Sequence, residues 1–158
     1  MKKTRLRRRK KRTSYDILYD KAWGLWSLYI RIKDADNGGY VKCFTCNKTY
    51  HYSAMHAGHL RHGVLDFDPM NIHPQCVTCN KWNSGERDLY LRKLQTLHTQ
   101  EQIDDMYLRA NTTLKKDNYP MEWLEWFAPQ TSVMVIEEFE KRNLPLPKKI
   151  NKNPKDTK

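Results

Sequence analysis

The sequence feature that most constrains this chain is a pair of Cys-x-x-Cys motifs, which contain all four of its cysteines. The motifs are Cys43/Cys46 and Cys76/Cys79. Two thiolates on a tight turn bind one ion, and two such turns complete the tetrahedral site of structural zinc. Two disulfides or an iron–sulfur cluster fit this spacing less well. We therefore predict Zn2+ at the four cysteines, which fill every coordination position and leave this ion a structural role.

A second constraint is the placement of charge along the chain. The net charge is +11, yet residues 2–12 alone contribute +9, residues 148–158 contribute +4, and the remainder sums to −2. Runs of one sign are disordered when free and commonly bind nucleic acid by neutralising phosphates. A solubilising tail or a targeting signal is the alternative interpretation. The predicted DNA contacts of the first run are Arg7, Arg8, Arg9, Lys10, Lys11 and Arg12.

The hydropathy pattern bears on location. The chain has no apolar run of about 18 residues, the length that suggests a transmembrane helix. No apolar stretch follows the N-terminal charges, so we expect neither a membrane partner nor a secretory signal. Cysteines spaced for metal in a chain without such a signal indicate a reducing cytoplasm.

At 158 residues the chain is expected to form one domain with appendages. Periodicity and turn residues divide it into segments that differ in composition. In chain order these are a basic disordered arm (1–13), an N-terminal helix and turn (14–39), a zinc-stapled core (40–98), C-terminal helices (99–147) and a basic tail (148–158).

Local patterns predict an α+β fold. A helix is expected from Ser14, its predicted N-cap, to about Lys33. Residues 40–50 predict a hairpin, residues 53–63 a short strand and loop, and a helix is expected from Val77 or Thr78, interrupted at Gly85. Further helices are predicted over residues 100–111, 121–127 and 132–143. A hairpin that carries one cysteine pair, followed by a helix that begins at the other, is typical of a treble clef.

Between and beside the cysteine pairs, His59, Asn71 and Asn80 form a pattern that resembles the HNH nucleases, the ββα-metal group. The resemblance implies that His59 deprotonates water, that Asn71 ties the loop that aims it, and that Asn80 binds Mg2+ or Mn2+ beside the scissile phosphate. Phosphodiester hydrolysis needs a base and a cation that holds the developing charge. An imidazole suits the first task, and an amide oxygen suits a hard ion.

Longer stretches extend the resemblance. The segments DKAWGLWSLYIRIKDADNGGYVKCFTC, AGHLRHG and NIHPQCVTCNKWNSG, with Tyr90, resemble the bacteriophage lambda NinG (Rap) recombination nuclease family. The likeness runs over about residues 14–111. It implies a phage- or prophage-encoded, structure-selective DNA endonuclease in the host cytoplasm, which cleaves branched DNA such as Holliday junctions and D-loops. The implied fold is a zinc-stapled HNH-like core, flanked by N- and C-terminal helices.

One position departs from the wider HNH pattern. Many members place Asp or His immediately before the catalytic histidine as a metal ligand, whereas this chain has Gly58. In one interpretation His59 is the base, and the ion is held by Asn80 together with waters, phosphate and a substitute carboxylate. In the other, His59 is itself a metal ligand, and His73 or His62 is the base. The substitute carboxylates considered are Asp66, Asp68 and Glu86.

Basic residues flank this region, and Arg61, Lys81 and Arg87 are the predicted phosphate contacts, with solvated surface charge as the alternative. Two other functions remain open: a non-catalytic zinc finger that binds nucleic acid, and a protein-interaction module. Because resolving a four-way junction needs two symmetric nicks, we also expect a homodimer, with the helix that contains Trp23 and Trp26 as its interface.

Overall fold

The computed structural model describes residues 11–112 and 119–150. The predicted contacts Arg7, Arg8, Arg9 and Lys10 lie outside these ranges, as does most of the predicted basic tail.

The first helix, α1, spans Ser14–Ile32 and is capped by Thr13. The Thr13 hydroxyl accepts a hydrogen bond from the Asp16 backbone N–H at 3.1 Å, and the Asp16 carboxylate accepts one from the Thr13 N–H at 2.9 Å. This reciprocal arrangement satisfies two backbone donors at the helix start. The predicted cap, Ser14, is therefore wrong by one residue, because only Thr13 has an acidic side chain three positions ahead.

Two antiparallel hairpins follow. Strand β1 (Tyr40–Lys42) pairs with β2 (Thr49–His51), as predicted, and the first cysteine pair lies near the turn between them. Strand β3 (Met55–His59) pairs with β4 (Ile72–Cys76), so that Met55 faces Cys76 and His59 faces Ile72. Strand β4 was not predicted, and Pro74 lies in its centre. A proline is tolerated there because the second hairpin has only two strands.

The chain after β4 makes a wide helical turn over Thr78–Trp82 and then changes direction. Ser84, Gly85 and Glu86 all have positive φ angles, of 53°, 86° and 49°. This reversal separates the turn from helix α2 (Arg87–Leu97). The interruption predicted at Gly85 is therefore present. Helix α3 (Gln100–Thr112) follows, with Thr99 accepting a hydrogen bond from the Gln102 N–H.

The last helix, α4, is continuous over Met121–Lys141, and the predicted pair of short helices is therefore wrong. Pro129 lies inside it and removes one backbone hydrogen bond. The buried face of the helix nevertheless continues past the proline, from Leu124 and Ala128 to Val135 and Phe139. Packing of this face outweighs the cost of the lost bond.

The fold is mixed α+β, with α1 as its central element. Helix α1 packs against α4 and against both strands of the second hairpin. Trp26 is 6% exposed and contacts Phe127 of α4 with ring centroids 5.5 Å apart. It is therefore buried within the chain and unavailable for the expected subunit interface. Within the described residues, no helix is both long enough and apolar enough to cross a membrane.

Candidate functional site

The four cysteines form a compact cluster between the two hairpins. The sulfur atoms of Cys43, Cys46, Cys76 and Cys79 all lie within 4.8 Å of one another, and the Sγ atoms of Cys46 and Cys76 are 3.9 Å apart. A tetrahedral zinc site with Zn–S bonds of about 2.3 Å requires sulfurs about 3.8 Å apart. The cluster can thus hold a metal ion such as zinc with little rearrangement.

The surroundings of Cys43 and Cys79 shift the pKa values of their thiols in opposite directions. Burial raises the pKa of the Cys43 thiol, but hydrogen bonds from the Thr45 hydroxyl and from backbone N–H groups outweigh it and lower that pKa to about 6. Burial raises the pKa of Cys79 to about 12. At neutral pH the metal-free cluster therefore holds a Cys43 thiolate, and loading an ion releases a proton from Cys79.

His59 ends β3 and faces α1. Its ring stacks on Trp23 with centroids 4.8 Å apart, and its side chain is only 8% exposed. The Asp66 Oδ1 atom lies 3.4 Å from Nε2 of His59. Asp66 is fixed in turn by the Tyr19 hydroxyl, which donates at 2.5 Å, and by the Gly63 N–H, which donates at 2.8 Å. A carboxylate in this position can orient the imidazole.

Asn71 is fully buried and ties down the loop that follows His59. Its Oδ1 atom accepts from the Arg61 N–H at 2.8 Å, and its Nδ2 group donates to the carbonyl oxygens of Arg61 at 2.7 Å and Leu65 at 2.9 Å. These bonds are those expected of a residue that fixes the loop between His59 and Asp66. Its predicted effect on catalysis stays a prediction.

Asn80 lies on the wide helical turn and contacts His56. The Nδ2 atom of Asn80 and Nδ1 of His56 are 2.9 Å apart. Alternate residues of a strand point to opposite faces, so His56 and Gly58 share one face of β3 and His59 faces the other. Asn80 and His59 therefore lie on opposite faces of the second hairpin. Both side chains reach the same phosphate only if the DNA backbone crosses the end of this hairpin at His59.

His73, the alternative base, lies in an apolar setting. Its ring is 3.9 Å from that of Phe44, and Nδ1 is 3.1 Å from the Tyr90 hydroxyl. That hydroxyl lies 3.0 Å from the carbonyl oxygens of both Gly58 and Asn71 and has one proton to share between them. Burial, followed by the nearby charge of Lys33, lowers the pKa of His73 to about 4. An imidazole with this pKa is a weak base, so the geometry favours a structural role.

The lowered pKa of His73 predicts acid sensitivity. An unfolded chain protonates this histidine near its ordinary pKa of 6.5, whereas the folded protein does so near 4. Between these values the unfolded state binds more protons, so the free energy of unfolding falls as pH falls. We expect His73 to reduce it by about 2 kcal/mol between pH 7 and pH 5.

The measurement is denaturant unfolding of zinc-saturated protein at both pH values, compared with the His73→Asn variant, whose amide can replace Nδ1 as the partner of Tyr90. Zinc release affects both proteins, so the difference between them isolates His73. Equal acid sensitivity of the two proteins would contradict the prediction.

The remaining candidate carboxylates, bases and phosphate contacts are either paired with other side chains or exposed. Asp68 pairs with Arg109 at 2.6 Å, and Glu86 accepts from the Asn83 side chain. Arg61 donates to Asn111 at 2.8 Å, and His62 is exposed beside His59. Lys11, Arg12, Lys81 and Arg87 are exposed, and Arg12 pairs with Asp20 at 2.5 Å.

The sequence did not indicate Tyr19, Gln75 or the orienting position of Asp66. Tyr19 lies 47 residues before its partner Asp66, so no local pattern connects the two. Gln75 belongs to strand β4, which the sequence did not predict. A strand assignment for residues 72–76 would have placed Gln75 on the same face as His56, its cross-strand partner.

Comparison with known proteins gives three findings. A family model described as Bacteriophage Lambda NinG protein matches residues 1–122 of the chain. Two curated proteins described as protein ninG, from Escherichia phage 933W and Enterobacteria phage VT2-Sa, are each 34% identical to it over 87 residues. These matches cover 52% of the chain and 41% of each relative, so the chain spans less than half of their length. No solved structure matches the chain.

Proposed function

Because this chain belongs to the bacteriophage lambda NinG protein family, we propose that it is a metal-dependent DNA endonuclease of phage recombination, with branched DNA as its substrate. The observation that carries the proposal is the contact of His59 with Asp66, 3.4 Å apart, beside a loop that Asn71 ties down. A histidine held by a carboxylate is the arrangement required of a general base.

His59 has a defined task in this proposal. Nε2 of His59 faces the Asp66 carboxylate at 3.4 Å, so in this proposal Nδ1 is the nitrogen that takes a proton from water. Trp23 holds the ring in plane by stacking, with centroids 4.8 Å apart. The imidazolium that forms is stabilised by the Asp66 carboxylate, whose own position is fixed by Tyr19 and Gly63. The catalytic base is thus oriented before the substrate binds.

A divalent cation completes the proposed site on the opposite face. Mg2+ or Mn2+, when bound, supplies positive charge for the scissile phosphate and its leaving oxygen. Asn80 offers an amide oxygen, a hard ligand of the kind these ions take. The structural zinc at the four cysteines holds β1–β2 and β4 together, which is the arrangement of a treble clef within an HNH-type core.

DNA binding follows from charge in this proposal. Lys81 and Arg87 are exposed on the segment that contains Asn80, and Lys11 and Arg12 begin the described part of the basic arm. These basic side chains neutralise phosphates on either side of the cleavage site. A homodimer remains part of the proposal because junction resolution needs two nicks, although its interface must exclude Trp26.

The test is a cleavage assay with zinc-loaded protein and three DNA substrates of matched sequence: a linear duplex, a flapped duplex and a four-way junction. We expect cleavage of the branched substrates, in preference to the linear one, on addition of Mg2+ or Mn2+. The control omits the added cation and uses no chelator, since a chelator would also remove zinc. Binding without cleavage under every condition would favour the non-catalytic zinc finger.

A further inference from the structure

The space above Gly58 is filled by another residue. A Cβ atom added at Gly58 would lie 1.9 Å from Oε1 of Gln75 and 2.7 Å from its Cδ. Gly58 does not have a positive φ, so backbone conformation alone does not require glycine here. The glycine is required because the Gln75 amide occupies the volume that a side chain at position 58 would take.

The orientation of the Gln75 amide is fixed by its partners. Nε2 donates to the Gly85 carbonyl at 2.9 Å and lies 3.3 Å from the Thr45 hydroxyl. A carbonyl can only accept, so the amide nitrogen must face Gly85 and the oxygen must face Gly58. The assignment of Oε1 therefore follows from hydrogen bonding.

This oxygen is buried and unsatisfied. Gln75 is 0% exposed, and within the described residues its Oε1 has no hydrogen-bond partner. A buried acceptor without a partner destabilises the folded chain, so it calls for an explanation such as a bound ion.

Two further ligand atoms share the face of the hairpin that Gln75 occupies. His56 is the direct cross-strand partner of Gln75, and residues opposite each other in a hairpin have neighbouring side chains. The Nδ2 atom of Asn80 lies 2.9 Å from Nδ1 of His56, so the atoms left for a cation are the Asn80 amide oxygen and Nε2 of His56. Amide oxygens are ligands of the kind that Mn2+ takes, and an imidazole adds a nitrogen ligand of the kind that transition metals take.

We propose that the amide oxygen of Gln75 is a ligand of the divalent cation at Asn80, in the place of the side chain that Gly58 lacks, with His56 as the third protein ligand. The inference rests on the proposed function, because that function requires the cation. A set of three neutral ligands leaves the double positive charge uncompensated, so a phosphate group is expected to strengthen cation binding.

The test measures Mn2+ binding by zinc-loaded full-length chain, from the electron paramagnetic resonance signal of free Mn2+. We expect Gln75→Leu to weaken Mn2+ binding by about 10-fold to 100-fold, the range known for groups that support metal sites. The double variant Gly58→Asp/Gln75→Ala is expected to restore binding, because removing the Gln75 amide creates room for a carboxylate at position 58.

Thr131→Val is the matched control, because it removes another buried polar group, the hydroxyl that donates to the Phe127 carbonyl within α4, and keeps every proposed ligand. It is expected to lower the melting temperature and leave Mn2+ affinity within about twofold. Folding of each variant is checked by zinc content and circular dichroism. Unchanged Mn2+ affinity in folded Gln75→Leu, or an equal loss in Thr131→Val, overturns the proposal. If Gln75→Leu does not fold, failure of the folded double variant to bind Mn2+ overturns it.

DNA cleavage is recorded separately. Lost Mn2+ affinity in Gln75→Leu, combined with a wild-type protein that cuts no DNA, supports the ligand assignment and contradicts the endonuclease. Cleavage by the wild-type protein, combined with unchanged Mn2+ affinity in Gln75→Leu, supports the endonuclease and contradicts the ligand assignment. The two proposals therefore fail by different results.

Discussion

Replacing His59 with alanine is expected to slow cleavage of a four-way junction by about 100-fold to 10,000-fold, the usual contribution of a general base. The physical reason is that the variant keeps the cation ligands but loses the group that accepts the proton of water. The measurement is single-turnover cleavage with Mn2+ and excess protein, so that substrate binding and product release do not limit the rate.

Mn2+ affinity of the same variant distinguishes the two roles considered for His59. A base contributes no bond to the cation, so affinity should stay at the wild-type value, whereas a ligand should weaken binding. Because the His59 side chain is packed on Trp23, zinc content and melting temperature are measured as well.

His98→Ala is the matched control, since His98 follows α2 and has no assigned part in the site. It should cleave at the wild-type rate. His62→Ala and His73→Asn test the alternative bases, and we expect both to retain activity. Rapid cleavage by His59→Ala would show that His59 is not the base.

Removing the metal from the four cysteines is expected to unfold most of the chain. Structural zinc contributes about 10–16 kcal/mol in zinc-finger peptides, which is comparable to the whole stability of a small domain. The cluster joins both hairpins, because Cys43 and Cys46 belong to the first and Cys76 ends the second. We expect Cys76→Ser, or a zinc chelator, to abolish the cooperative thermal transition seen by circular dichroism.

Val77→Ala is the control for this experiment. Val77 lies in the same Cys-x-x-Cys motif but is 37% exposed, so its replacement should leave zinc content and melting temperature nearly unchanged. A reducing agent should also have no effect, whereas disulfides would be broken. A folded Cys76→Ser protein with an unchanged transition would contradict a stabilising metal.

Local sequence patterns predicted several elements well. The turn residues after α1, the hairpin around Cys43 and Cys46, and the break at Gly85 were all expected from short-range chemistry. The failures occurred where packing outweighed local preference. Residues 72–76 were not assigned to a strand, although β4 forms there around Pro74. Helix α4 was predicted as two helices, although its buried face continues past Pro129 and outweighs the one hydrogen bond that a proline removes.

The sequence by itself predicted the cysteine cluster, because a two-residue spacing within one turn fixes the distance between the two thiolates of each motif. It also indicated His59, Asn71 and Asn80 through a resemblance. Only the tertiary structure decided which groups surround them. The positions of Tyr19 and Asp66 beside His59, and of Gln75 above Gly58, depend on the packing of α1 and the register of β3 with β4. Such contacts join residues far apart in the chain, and spacing along a sequence carries no information about them.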